Sequence, residues 1–301
     1  MRITHRAVTQ TALLGLNNNL SAVNKLQQQL TSGKQISAPS DSPIGTNRAL
    51  QTRQDRSTAV QQAANISDGQ SWLDATDSAL TSMVDQVQRI RSLTVTGLNA
   101  GTMSTIARQA VGAEVAGLRE ALLGLANSTV NGRPLFGGAT TGSTAYDTAT
   151  GAYVGVGGAD GIPVVENVRR VSNADVVRVD VTGPEAFGPP GAGDLFSVVA
   201  DIAADVVSDP GSLAADLAAL DVALQRLLGA TATVGARSAR MEAAAAVNAE
   251  LQLTLSGQLA AVEDIDMPKT IMELNHQQVG YQAALQATAN VIQPSLVDFL
   301  R

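Results

Sequence analysis

The sequence predicts a mainly α fold with a small β-rich insertion, an elongated rod of long antiparallel helices whose two terminal helices form coiled coils. Three observations predict it. Apolar residues at both ends recur in alternating steps of three and four. Ala, Leu and Val supply most apolar positions while aromatics make up only 3 % of the 301 residues, which suits slender bundles better than a thick core. Between the helical arms lies a glycine-dense stretch with no helical period.

The N-terminal seam runs Leu13, Leu16, Leu20, Val23, Gln27, Leu30, and the C-terminal seam runs Ile271, Leu274, Gln278, Tyr281, Leu285, Thr288, Ile292. Neither helix hides its stripe alone, so each needs a partner, either the other terminus or a neighbouring molecule. The apolar members of both seams are the candidate assembly residues. The first helix should end at Ser32-Gly33-Lys34, where Gly33 takes positive φ and Lys34 faces the helix's carbonyl end. Pro39 and Pro43 then bar a continuous helix through ISAPSDSPIG. A polar helical stretch reaches about Asn65, and a stronger one starts near Ser71 with Leu73, Leu80, Met83, Val87 and Ile90 on one seam. Gly101 interrupts it. Ser104 caps the next helix, which presents Val111, Val115, Leu118, Leu122 and Leu125, completing an antiparallel hairpin.

Short strands are expected at Tyr153-Val154, Ile162 to Val165 and Val176 to Val181, inside an insertion of residues 138–192. Helical period returns at Leu195, Val198, Ile202 and Val206, pauses at Asp209-Pro210-Gly211, and resumes with Leu213, Leu217, Leu220, Leu224 and Leu227. The domains expected are therefore discontinuous: 1–45 with 263–301 as a terminal coiled-coil assembly region, 46–137 with 193–262 as a helical rod, and 138–192 as a β-rich outer insertion.

Net charge is −7, unevenly spread. Residues 1–60 carry seven Lys or Arg against Asp41 and Asp55, a net of +5, whereas residues 230–301 carry four against seven, a net of −3. The basic end has no aromatic for base stacking, Trp72 being the first in the chain, so complementarity between the two ends explains it better than nucleic acid. Zero cysteines exclude a disulfide framework and thiolate catalysis. The start lacks a continuous apolar stretch and a cleavage site, so no secretory signal peptide is expected. No run of about 18 uninterrupted apolar residues marks a membrane span.

Nothing in the chain supports an enzyme, a cofactor or a metal. His5 and His276 are the only histidines and stand far apart in sequence. Ser32-Gly33-Lys34 lacks the upstream glycine and preceding strand of a phosphate loop. Gly157-Gly158-Ala159-Asp160-Gly161 suits a hairpin turn as well as calcium, and Glu263, Asp264 and Asp266 beside Pro268 read as a charged helix start.

Several segments in one order resemble the flagellin superfamily: LTSGKQISAPSDSPIG (Leu30 to Gly45), SDGQSWLDATDSALTSMVDQVQRIRSLTV (Ser67 to Val95), NGRPLFGG (Asn131 to Gly138), then TGPEAFG, DLFSVVADI, VGARSARME and the ending ALQATANVIQPSLVDFLR. Pro39, NGRPLFGG and the ending are more similar to its hook-filament junction branch than to flagellin itself. Ser42 departs from the family's more usual second aspartate after Asp41. The resemblance implies a structural subunit, exported unfolded without a cleaved signal peptide and located outside the cell in the flagellum. It also implies self-assembly into a ring, with the first hook-associated protein on the hook side, flagellin on the filament side and an export chaperone as further partners, and neither nucleic acid nor membrane. A filament subunit of flagellin type is the rival reading.

Overall fold

The computed structural model describes residues 2–98, 104–157, 166–191 and 193–292. The expected strand at Ile162 to Val165, the break at Gly101, the side chains of His5 and Ile292, and the last nine residues lie outside the described residues. The fold is mainly α. Helices α1 (Arg2–Ser32), α2 (Pro43–Leu98) and α3 (Thr105–Ala126) are followed by strands β1 (Thr129–Val130), β2 (Arg133–Pro134), β3 (Val168–Arg170) and β4 (Val176–Arg178). Helices α4 (Gly183–Phe187), α5 (Leu195–Ser208), α6 (Leu213–Glu263) and α7 (Met267–Ile292) complete it. The chain divides into two compact units, residues 1–58 with 251–301 and residues 59–250, and the boundaries fall inside α2 and α6.

In the 59–250 unit, α2 buries Leu73, Leu80, Met83, Val87 and Ile90, the seam read from the sequence. Two separate stretches were expected here, yet α2 is one helix of 56 residues. Gly69 does not break it because a wall of other elements takes up its empty side: a Cβ there would stand 2.5 Å from Met241 Cε and 3.3 Å from Val179 Cγ1. Tertiary packing outweighs glycine's poor helix propensity of about 1 kcal/mol. Ser104 caps α3 as expected, its side chain accepting from the Ala107 amide at 3.2 Å. Arg89 of α2 and Glu114 of α3 meet at 2.6 Å, nine residues from the near ends of their helices, which is antiparallel register. Helices α3 and α5 approach so closely that a Cβ on Gly112 would lie 2.9 Å from the Ala203 carbonyl oxygen.

The strands are shorter than expected and pair in two antiparallel ribbons, β1 with β2 and β3 with β4. Tyr153 makes only an isolated bridge to Tyr146, and the expected strand to Val181 ends at Arg178. Asn131 (φ 52°) and Gly132 (φ 76°) close the first ribbon with the two left-handed residues that a tight hairpin demands. From residues 138–192, Tyr146, Val177, Val179, Val181 and Phe187 join the hydrophobic core built by α2, α3, α5 and α6. Tyr146, Phe187 and Phe196 pack ring to ring with centroids 4.8–5.8 Å apart, and Phe136 adds an edge contact to Phe187 at 5.0 Å. Asn127, at the end of α3, pins the loop over this core: its Oδ1 accepts from the amides of Ala145 and Tyr146 at 2.9 and 2.8 Å, and its Nδ2 donates to the Tyr146 carbonyl at 2.9 Å.

One 18-residue stretch of α6 is apolar enough to cross a membrane by composition alone. On α6, Leu213, Leu220, Leu227 and Val234 are committed to the core just described, and alanine supplies much of the rest of the helix's apolar character.

Candidate assembly surface

The 1–58 with 251–301 unit holds the terminal helices and the ends of α2 and α6. Helices α1 and α7 pack along each other. Gly33 N–H still bonds to the Gln29 carbonyl, and with φ 69° Gly33 turns the chain out of α1. The two connectors then pair through their backbones: Gln35 N–H donates to the Glu263 carbonyl at 2.6 Å and Ile265 N–H to the Gly33 carbonyl at 3.1 Å. Further along, Gln277 Nε2 donates to Asn19 Oδ1 at 3.1 Å. Residue 34 opposite 264 and 19 opposite 277 fix an antiparallel register.

The ion pairs of this unit gather at the connectors. Glu263 is only 3 % exposed and is held by Lys34 Nζ at 2.6 Å and an Arg53 guanidinium nitrogen at 2.7 Å. Burial alone would raise its carboxyl pKa, but the hydrogen bonds from Lys34 and Arg53 outweigh that and hold it below the ordinary carboxylate value. The sequence reading is corrected at both residues. Lys34 serves Glu263 rather than the end of α1, and Glu263 closes α6, whereas Asp266 caps α7 by accepting from the Lys269 amide at 3.1 Å. After α1 the turn is organised by Asp41, which accepts from the Ser37 and Ala38 amides and pairs with Lys25 at 2.9 Å. Lys25 first, then the two amides, pull its pKa down to about 2. Ser42 caps α2, accepting from the Gly45 amide at 3.1 Å, with Pro43 in the first helical position. Serine does there the capping that aspartate would do.

The candidate seam residues do not all meet. Through the buried and half-buried residues of α1 runs the stripe Ala12, Leu16, Asn19, Val23, Leu26 and Leu30, with Ala22 and Gln29 half-buried at its edge, and through those of α7 runs Thr270, Leu274, Gln277, Tyr281, Ala284 and Thr288, with Gln278 half-buried at its edge. Both sets step by fours and threes, so the heptad was legible and its phase was not. Leu16, Val23, Leu30, Leu274 and Tyr281 lie in the packed seam. Leu13, Leu20, Ile271 and Leu285 do not, being 50 %, 41 %, 46 % and 42 % exposed. The larger apolar residue one place further on drew the expected stripe away from Ala12, Asn19, Thr270 and Ala284. Small and polar seam residues at those places were the overlooked signal.

With the inward positions as a and d, Leu13, Leu20, Ile271 and Leu285 all occupy e. Across an antiparallel pair the e positions of both helices lie on one flank. The register places Leu13 level with Leu285, Leu20 level with Gln278 and Ile271 level with Gln27, so the four stand along that flank as an apolar ridge interrupted by two glutamines, with Leu14, Met272 and Val279 exposed beside it. His276 is exposed on α7. Among the described residues no three His, Asp or Glu side chains converge as a metal set.

Residues 3–141 match the family described as the bacterial flagellin N-terminal helical region, and residues 217–300 match the bacterial flagellin C-terminal helical region. The chain is similar to flagellar hook-associated protein 3 of Escherichia coli, 26 % identical over 95 % of this chain and 96 % of that one. It is similar also to the flagellin of Bacillus subtilis, 27 % identical over the whole of both. Its fold is similar to a flagellar hook-associated protein of Vibrio parahaemolyticus, with TM-score 0.66 and 19 % identity over 74 % of this chain and all of that one. The fold of flagellar hook-associated protein 3 of Legionella pneumophila gives TM-score 0.60 and 16 % identity over 71 % of this chain and 98 % of that one. Two family regions covering both helical arms, joined to this fold, place the chain in the flagellin superfamily as a member of its hook-filament junction branch.

Proposed function

We propose that the chain is the structural subunit that joins hook to filament, that it self-assembles into a ring through the region 1–45 with 263–301, and that the ring stands between a hook-associated protein and flagellin. Membership of the family makes it a structural component of the bacterial flagellum. The observation that carries the assembly role is the apolar ridge of Leu13, Leu20, Ile271 and Leu285, which the α1/α7 pair leaves in water. An apolar stripe of this length on an otherwise paired hairpin is a surface prepared for a neighbour. The subunit leaves the cell unfolded with an export chaperone and functions outside it. The rest of the chain, 46–137 with 193–262 and the segment 138–192, serves as the body that presents the hairpin.

The filament-subunit reading is kept because flagellin of Bacillus subtilis aligns over the full length. Deleting the gene separates the two. Loss of a junction subunit releases unpolymerised flagellin into the medium from cells that carry bare hooks, whereas loss of a filament subunit leaves bare hooks and no such flagellin to release.

A further inference from the structure

Within the 59–250 unit a cleft of about 380 Å³, half-open to solvent, lies between one face of α6 and the segment that carries α4. Its α6 side is the stripe Arg226, Ala230, Thr233 and Arg237, stepping by four, three and four, with Gly229 beside it, and Val181 and Glu185 close the other side. Val181 and Ala230 are buried, and a Cβ on Gly229 would meet nothing within 4 Å, so the floor is small and apolar. The acidic groups nearby are gathered on a third arginine. Arg178 holds the two Glu185 oxygens at 2.9 and 2.8 Å, Asp180 at 2.7 Å and Glu166 at 3.7 Å. Arg226 and Arg237 are left over: among the described residues neither forms an ion pair. Arg226 gives one Nη1 hydrogen bond to the Gly193 carbonyl at 3.3 Å and Arg237 one to the Asp180 carbonyl at 2.6 Å, so each planar fork keeps donors for an anion. Arg237 is half-buried, and burial first, then the neighbouring Arg178 charge, lower its pKa from the ordinary value, a penalty that a bound anion relieves.

We propose that this cleft binds an extended acidic peptide segment, with one carboxylate on Arg226, another on Arg237, and the chain between them lying over Val181, Gly229 and Ala230. The two arginines stand roughly 16 Å apart along α6. Each is tethered at its own end of the cleft, to Gly193 or to Asp180, so a single small anion does not serve both. An extended chain rises about 3.3 Å per residue and puts alternate side chains on one face, so about five residues span the distance. Glu185 does not repel such a segment, because its charge is met by the two-pronged pair with Arg178 and its Oε2 also accepts from the Thr182 amide and hydroxyl. Thr233, exposed at the edge, offers a hydroxyl to the peptide backbone. The proposal is separate from the assembly role, which belongs to the terminal hairpin.

Because the chain carries a net charge of −7, general attraction works against an acidic ligand, and binding must be local. Isothermal titration of the full-length protein with a capped pentapeptide of alternating glutamate and alanine should show one-to-one binding that weakens with salt, and the same peptide with glutamine for glutamate should bind at least about tenfold more weakly. Arg226→Gln should weaken binding about tenfold and Arg237→Gln by at least as much, whereas Arg89→Gln, at an arginine already paired with Glu114, should leave it unchanged. Since loss of Arg237 also removes a bond to the Asp180 carbonyl, Gly229→Leu is the second variant. It favours the helix and has open space, so it should keep helix content and melting temperature while filling the cleft and abolishing binding. Failure of the acidic peptide to bind would overturn the proposal, as would equal binding of the glutamine peptide, undiminished binding to Gly229→Leu, or an equal loss in Arg89→Gln. Citrate binding as tightly as the peptide would overturn it too, making the occupant a small polycarboxylate.

Discussion

Substituting aspartate at Leu20 and at Val23, three residues apart on α1, should produce opposite phenotypes. Val23 is 8 % exposed in the packed seam, whereas Leu20 is 41 % exposed on the ridge. Full burial of a leucine or valine side chain contributes about 1.5–3 kcal/mol. Val23→Asp forfeits roughly that amount within the monomer and leaves a carboxylate between α1 and α7, at a further cost of several kcal/mol. Leu20→Asp changes the free monomer by less than about 0.5 kcal/mol, as befits a surface position. In the assembled state the balance reverses. The water-exposed fraction of Leu20 represents about 1 kcal/mol of burial still available, and an uncompensated charge in the closed contact adds several kcal/mol, so association should weaken by roughly a thousandfold or more. Thermal melts followed by circular dichroism, together with hydrogen exchange over α1 and α7, report the monomer. Motility and flagellin released into the medium report the junction. The reasoning is refuted if Leu20→Asp loosens the hairpin as much as Val23→Asp does, or if its junctions form normally.

Asn127→Ala should destabilise the 59–250 unit by roughly 1–3 kcal/mol for each of the two loop amides it leaves without an acceptor, seen as a lower denaturant midpoint with little change in helix content. Gly112→Val should cost about 1–3 kcal/mol, because the atom it would strike is the Ala203 backbone oxygen, which cannot swing aside as a side chain would. Glu263→Gln should cost only about 1–2 kcal/mol, since Lys34 and Arg53 are half exposed and water can take over their charges. Its clearer signature is in pH. Both Glu263 and Asp41 have folded-state values below their ordinary ones, so each contributes stability that is fully present above the ordinary carboxylate pKa and is lost as pH falls through the lowered one, about 2 for Asp41. Acid titration of the parent should show this loss, and Glu263→Gln should remove its own part of the slope.

What could be read from the residues was period. Leu73, Leu80, Met83, Val87 and Ile90 were placed correctly because large apolar residues recur there at helical spacing, and their apolar neighbours Trp72 and Val84 pack on the same core. At the termini two stripes one residue apart compete: the one packed within the chain runs through Ala12, Asn19 and Ala284, and the more apolar one through Leu13, Leu20 and Leu285. Those leucines are 41–50 % exposed on the lone chain, so rules derived from burial within one chain do not place them. The connectors were legible as breaks, through Gly33 and Pro43, but the pairing of Lys34 and Arg53 with Glu263 joins residues more than two hundred positions apart, which local patterns do not encode. Asn131-Gly132 is a hairpin signal, but the two-residue strands it joins are too short to show an alternating pattern. Tyr146, Val179 and Phe187 stand among glycines with no helical period, and their place in the core rests on long-range contacts that local patterns do not encode.

The pairing of α1 with α7 also sets an order of events in time. The Gln277 to Asn19 hydrogen bond spans 258 positions. Closing a loop of that length costs about 3 kcal/mol more entropy than closing a ten-residue hairpin, and the cost must be met before any contact between the terminal helices repays it. If the chain leaves the cell unfolded, as proposed, whichever end emerges first waits as a lone helix, marginal in water, until nearly the whole chain has followed. The ridge that another subunit would grip takes its final form only when both helices are in register, so adhesion is deferred to the last step of folding. A chain cut short at either end, or still partly threaded, cannot present it.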